Sequence, residues 1–235
     1  MIFSTVDTVL INHYSEPSVS YSYNYLHYAG HAKLFDNFFF FGGSADRTQI
    51  SFLTGCVIQK TSFRLPYIFQ STYSSAIFHF KTIYLCFLNG QNNRCYDFDG
   101  AKITSRFLTT YYHQYSSLAA FGNEFLMIGG NAYSSGNYNH RRTVEGFEQT
   151  NASGTLRTRT SHPLEFSHGG AISVPNGVIT VGAYSSTYRK RVYLYTGSWT
   201  YLGELLYATT YQTLFAKGTT IYSFGARFCH YNICK

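Results

Sequence analysis

A β-rich segment closed by small residues recurs five times along the 235-residue chain, and no other property of the sequence restricts its fold so tightly. The copies read DNFFFFGG, KTIYLCFL, NEFLMIGG, NGVITVGA and TTIYSFGA. They end at positions 43, 88, 130, 183 and 226, so successive copies lie 45, 42, 53 and 43 residues apart. That period suits one small supersecondary unit with loops of variable length.

The flanks repeat as well. A short apolar segment precedes each copy (HAKLF, SSAIFHF, SSLAAF, HGGAISV, YQTLFA), and a strand-like piece follows it beyond a polar loop (QISFLTG, RCYDFDG, TVEGFEQ, RVYLYTG, FCHYNIC). A further segment, SFRLPY, ITSRFL, LRTRTS or WTYLGELL, completes the first four units. These pieces are β-branched and aromatic and are bounded by Gly, Asn or Asp. Helix start signals and a 3.6-residue period are absent. Four short strands per unit, repeated radially, describe the blade of a β-propeller. The strands of each unit are named a, b, c and d in chain order. The expectation is an all-β propeller of about five recognisable four-stranded blades over residues 31–235, the last incomplete because it stops at strand c. Residues 1–30 form a separate N-terminal segment whose VSYSYNYLHY stretch alternates like a strand and would supply the missing strand d; the alternative is a partial propeller, a fragment of a larger ring.

The repeat resembles the kelch type, within the superfamily that includes galactose oxidase. The likeness rests on the small pair closing strand b, complete at Gly42-Gly43 and Gly129-Gly130 and half-matched at Gly182-Ala183 and Gly225-Ala226. It rests also on Tyr96 and Tyr193 as the strand c aromatics and on Trp199 opening strand d. The second unit departs from the pattern, with Asn89-Gly90 slightly later. The resemblance implies a repeat protein that binds a protein partner. A galactose-oxidase relative would be a carbohydrate-binding or copper-dependent domain, but no spacing of Tyr, His and Cys here matches that copper site, so no cofactor or metal is expected.

Composition sets outer limits. Aromatic residues make up 19% and charged residues 12%, which excludes disorder and a helical surface laced with Glu and Lys. No run approaches the roughly 18 apolar residues of a membrane helix. The N-terminus lacks a basic region and carries Asp7 where an apolar core would sit, so it does not read as a signal peptide and leaves the compartment open, extracellular included if the chain is a fragment. Five cysteines form no CxxC pair, which argues against zinc. Cys86 ends strand b and Cys95 begins strand c of the second unit, so an antiparallel pairing would place them opposite each other, within disulfide reach. Two unpaired buried thiols are the alternative; a bridge would imply an oxidising compartment.

Catalytic patterns are nearly absent. Only 11 acids are present, and Asp97, Asp99, Glu145 and Glu148 fall in or after strand c, away from the expected axis. Ser167-His168-Gly169 suggests a nucleophile pair, yet His168 opens strand a as His31 does, and is read as a packed histidine. The chain is therefore expected to be non-enzymatic.

The cations are the sharper signal. Net charge is +7, and seven of the 11 arginines fall in the b–c connections: Arg47, Arg94, Arg141, Arg142, Arg189, Arg191 and Arg227. In a meander the b–c and d–a loops share one end of the blade. A face of guanidinium groups beside Tyr67, Tyr73, Tyr111, Tyr112, Tyr115, Tyr207 and Tyr211 would recognise carboxylate or sulfate through planar, two-pronged contacts. The expected partner is a protein, with a preference for acidic ligands. A glycan is the alternative, while a nucleic acid would call for a denser basic stripe. That reading expects Arg94→Glu with Arg141→Glu to abolish acidic binding without lowering the melting temperature.

Overall fold

The computed structural model describes residues 29–43, 46–54, 57–69, 74–131, 138–149, 154–184, 189–218 and 220–224. Each unit is an antiparallel meander. The first comprises β1 (Gly30–Leu34), β2 (Asn37–Phe41), β3 (Gln49–Thr54) and β4 (Val57–Arg64). The second comprises β5 (Ser75–His79), β6 (Thr82–Cys86), β7 (Arg94–Phe98) and β8 (Ile103–Leu108). The third comprises β9 (Ser117–Phe121), β10 (Glu124–Ile128), β11 (Val144–Gln149) and β12 (Gly154–Thr158), with a 3-10 turn at Tyr138–Arg142 ahead of β11. The fourth comprises β13 (Gly170–Val174), β14 (Gly177–Val181), β15 (Arg191–Tyr195) and β16 (Trp199–Glu204). The fifth is described only as the pair β17 (Thr213–Lys217) and β18 (Thr220–Phe224). Its expected strand c and the alternating stretch at 19–28 lie outside the described residues.

Strands β1, β5, β9, β13 and β17 lie side by side, so strand a is innermost in all five units and strand d outermost in the four described in full. This is the radial arrangement of propeller blades. Strand d ends earlier than expected: in the first unit it runs from Val57 to Arg64, leaving Leu65–Tyr67 in the d–a loop, and in the third and fourth units it ends at Thr158 and Glu204. Thr54 pairs with Val57, so the outer strand begins three residues after the strand it pairs with ends.

The two-residue alternation of each strand divides its apolar side chains between two neighbours. Phe39, Phe41 and Ile50 of the first blade meet Ile83, Leu85, Tyr96 and Phe98 of the second. The opposite side of the second blade, Tyr84, Cys86 and Cys95, meets Phe125, Met127 and Phe147 of the third. Leu126, Ile128 and Val144 then meet Val178 and Tyr195 of the fourth. Ring edges and faces fill these interfaces: Phe98 stands edge-on to Phe39 at 5.1 Å, and Phe107 stacks on Phe147 at 3.9 Å. Each fully buried ring stabilises the pair of blades by about 2–3 kcal/mol relative to leaving it in water.

Cys86 and Cys95 face each other across β6 and β7 and are joined, S–S 2.01 Å, with both side chains fully buried.

The candidate binding face

One hydrogen-bond pattern fixes every described b–c loop to the chain leaving strand d. The carbonyls of Thr48, Asn93, Arg142 and Lys190 accept from the N–H groups of Leu65, Thr109, His162 and Leu205 at 2.7–2.8 Å. One residue earlier in the loop, the carbonyls of Arg47, Asn92, Arg141 and Arg189 accept from Phe69, His113, Phe166 and Thr209 at 2.8–3.1 Å. The arginines thus sort by position. Arg47, Arg141 and Arg189 are structural equivalents; Arg142 is the next residue of its loop.

Arg94 and Arg191 are not loop residues. They open strands β7 and β15 and reach across to strand d, Arg94 donating to Ser105 Oγ at 2.6 Å and Arg191 Nε standing 3.7 Å from Glu204 Oε1. The reason is register: each lies opposite the end of its own outer strand, Arg94 across from Leu108 and Arg191 across from Glu204. Arg227 and Tyr73 lie outside the described residues. The loop arginines that remain have different surroundings. Arg141 pairs with Glu165 at 3.0 Å, Arg142 Nε donates to the His162 carbonyl at 2.9 Å, and Arg189 donates to the Tyr184 carbonyl at 3.1 Å while its guanidinium lies 5.9 Å from the Tyr184 ring centre. Arg47 and Arg142 are exposed.

Beside these arginines the structure assembles an aromatic ladder that sequence reading did not find. Tyr115, His168 and Tyr211 occupy one equivalent place in three successive d–a connections, each with a left-handed backbone: φ is 67°, 57° and 60°. Such a conformation is strained for bulky residues and persists only where the surroundings impose it. Here it is imposed from blade to blade. His168 N–H donates to the Tyr115 carbonyl at 2.9 Å, and Tyr211 N–H donates to the His168 carbonyl at 2.8 Å. The rings follow, with centres 4.0 Å apart for Tyr115 and His168 and 4.7 Å for His168 and Tyr211, and Tyr184 joins His168 at 4.9 Å. Tyr184 and Tyr211 expose 52% and 36% of their surface, so the ladder offers ring faces to solvent. Burial, reinforced by the Arg141 charge, pushes the His168 imidazole down to about 3, so it is neutral at physiological pH. His168 lies before β13 rather than opening it, in the connection that carries the ladder. The only sequence signal was their shared place two residues ahead of strand a, which begins at Ser117, Gly170 and Thr213, and it is invisible until the strand starts are known.

Beneath the face, a buried ion pair fixes the loop between the second and third blades. His113 Nε2 lies 2.9 Å from Glu145 Oε2 and Nδ1 lies 2.6 Å from the Gly129 carbonyl, both side chains of the pair being wholly buried. Both ring nitrogens are engaged, so the imidazole is held in one orientation between the Gly129 carbonyl and the Glu145 carboxylate. Burial alone would raise the Glu145 carboxyl, but His113 and the N–H groups of Thr110 and Tyr111 outweigh it and hold the group below the usual carboxylate value. Above this pair, Tyr111 and Tyr112 pack against His140 at 5.2 and 6.2 Å.

Among the described residues, no three His, Cys, Asp or Glu side chains gather into a metal-binding group, and no helix is long and apolar enough to cross a membrane.

No family model matches the chain, and no curated protein does. Solved structures do. One of them, the structure of YjhT, superposes with a TM-score of 0.72 over 86% of this chain and 77% of that one, at 14% sequence identity. The chain has a β-propeller-like fold. At that identity the likeness extends to the arrangement of the blades and no further.

Proposed function

We propose that this propeller is a non-enzymatic binding module of the kelch type that holds a protein partner, with a preference for acidic ligands, on the face formed by its b–c and d–a loops. The observation that carries the reading is the placement of Arg47, Arg141 and Arg189 at one equivalent position of their b–c loops, with Arg141 near His168 and Arg189 over Tyr184 of the aromatic ladder. Tyrosine and arginine together supply rigid contact area and planar forks for carboxylates, the combination enriched at the energetic centres of protein interfaces. The glycine pairs that close strands b and the aromatics of strands c support the kelch-type assignment.

The structure also moves the test to other residues. Arg141 is tied to Glu165 and Arg94 to Ser105, so reversing either charge would disturb the fold along with the surface. Arg47→Glu combined with Arg189→Glu is the cleaner variant, since Arg47 is exposed and Arg189 breaks no ion pair, losing one carbonyl hydrogen bond and a ring contact, both to Tyr184. Binding to an immobilised poly-glutamate peptide is expected to weaken at least tenfold, to weaken also with added salt in the parent protein, and the melting temperature is expected to stay within a degree or two. Undiminished binding by the double variant would sink the proposal.

A further inference from the structure

We propose that the cleft between the third and fourth blades is a binding site for a neutral sugar. The cleft measures about 420 Å³ and runs from the β9–β10 turn at Phe121–Glu124 to the β15–β16 turn at Gly197, with Thr158, Arg159, Thr160 and Tyr195 along its walls. Both turns lie at the end of the blades away from the arginine loops, so the proposal stands independently of the protein-binding reading.

The inference begins with a break in the repeat. Strand registers make Phe52, Asp97, Gly146 and Leu194 equivalent positions of strand c, opposite Phe39, Tyr84, Leu126 and Ile179. The third blade alone among these carries glycine. Its strand b also opens with Glu124 where the others open with Asn37, Thr82 and Gly177. The two departures act together. A Cβ on Gly146 would lie 2.1 Å from Glu124 Oε2, so the carboxylate occupies the space left by the absent side chain. There Arg159 grips it from Nε at 3.1 Å and Nη2 at 2.7 Å. The equivalent volume between the first two blades is filled by Phe52 packing on Phe39 at 6.2 Å.

A buried ion pair costs more desolvation than apolar packing would, and this pair joins β10 to the residue that follows β12 in the same blade. Its Glu124 side chain is 5% exposed and its Arg159 side chain 32% exposed, so the guanidinium faces the cleft. The lining charges cancel. A charged ligand would displace one partner and leave the other without a countercharge, whereas a neutral polyol can accept from the guanidinium and donate to the carboxylate with the pair intact. Phe121, half-buried and 5.1 Å from the Tyr195 ring, supplies an apolar wall for the carbon face of a sugar ring. The volume falls in the range of small-molecule sites, roughly 300–1,000 Å³.

Saturation-transfer NMR with D-glucose, D-galactose, D-mannose and N-acetyl-D-glucosamine tests this, with sodium acetate and ethylammonium as charged competitors. At least one sugar is expected to receive magnetisation from the protein, without displacement by either ion. Glu124→Thr with Gly146→Leu returns the third blade to residues its neighbours use; it is expected to melt no lower than the parent and to bind sugar at least tenfold more weakly. Glu124→Gln, which preserves shape, is expected to weaken binding at least tenfold on its own. Arg47→Glu with Arg189→Glu should leave sugar binding unchanged. Absence of transfer to all four sugars, preferential binding of acetate or ethylammonium, or full binding by folded Glu124→Gln would overturn the assignment.

Discussion

At Gly129 the chain turns with φ +67°, and an added Cβ would lie 1.8 Å from the Phe166 carbonyl oxygen. That contact is the physical content of the small pair closing strand b: the glycine lets the chain from strand d lie directly on the hairpin. Gly129→Ala is therefore expected to destabilise the fold by about 3 kcal/mol, from left-handed strain and a backbone clash together. Gly122, at φ +61° with nothing within 4 Å, isolates the conformational part, and Gly122→Ala should cost only about 1 kcal/mol. Denaturant melts of the two variants measure the difference; equal losses would mean that close approach is not what selects glycine. The second blade shows how far the rule bends. Phe87 stands in the glycine position with φ 62°, wholly buried against His113 at 5.6 Å, so the strain is retained and ring burial offsets it. In the sequence this unit simply lacked the motif.

Among the elements, the hairpin of β6 and β7 combines register with covalent chemistry. Sequence spacing placed Cys86 opposite Cys95 because alternation and a short polar loop leave little freedom in an antiparallel pair. The bridge closes a loop with its ends nine residues apart. Urea unfolding of the reduced protein, or of Cys86→Ser with Cys95→Ser, is expected to show a loss of about 2–3 kcal/mol from the extra freedom of the unfolded chain. No loss would mean that the bridge is dispensable to the blade. Strand identity was likewise legible, since period-two patterns and turn residues mark β-structure locally. What was not legible was that Arg94 and Arg191, at the first position of strand c, turn toward the outer strand and away from the loop face, because pairing with that strand is a tertiary event.

Across the whole molecule, buried histidines make stability depend on pH. His162 sits among Phe166, Tyr193 and Trp199, and burial, aided by the Arg142 charge and opposed by its bond to Leu164, pushes it down from 6.5 to about 4. Its folded value lies below its unfolded value, so on acidification the unfolded chain takes up the proton first. Stability is then full above about pH 6.5 and is lost as pH falls toward 4, by about 1.4 kcal/mol per pH unit from this residue. His168 and His79 are lowered in the same direction. Glu145, also lowered, adds a loss at more acidic pH as it protonates against His113. Urea midpoints at pH 7.5, 6 and 5 test the sign, with His162→Asn expected to flatten the slope; a stability that rose on acidification would contradict it.

The amino-acid sequence by itself determined the period and the strands, because those properties depend on neighbours one or two residues away and on turn residues that act locally. It also sorted most arginines to one end of the blades. Only the tertiary structure decided which of them face outward and which are engaged by Glu165, Ser105 or Glu204. It alone brought together Tyr115, His168 and Tyr211, and placed Glu124 over Gly146. Those meetings join residues from different strands and different blades, and their geometry follows from packing that no local pattern encodes.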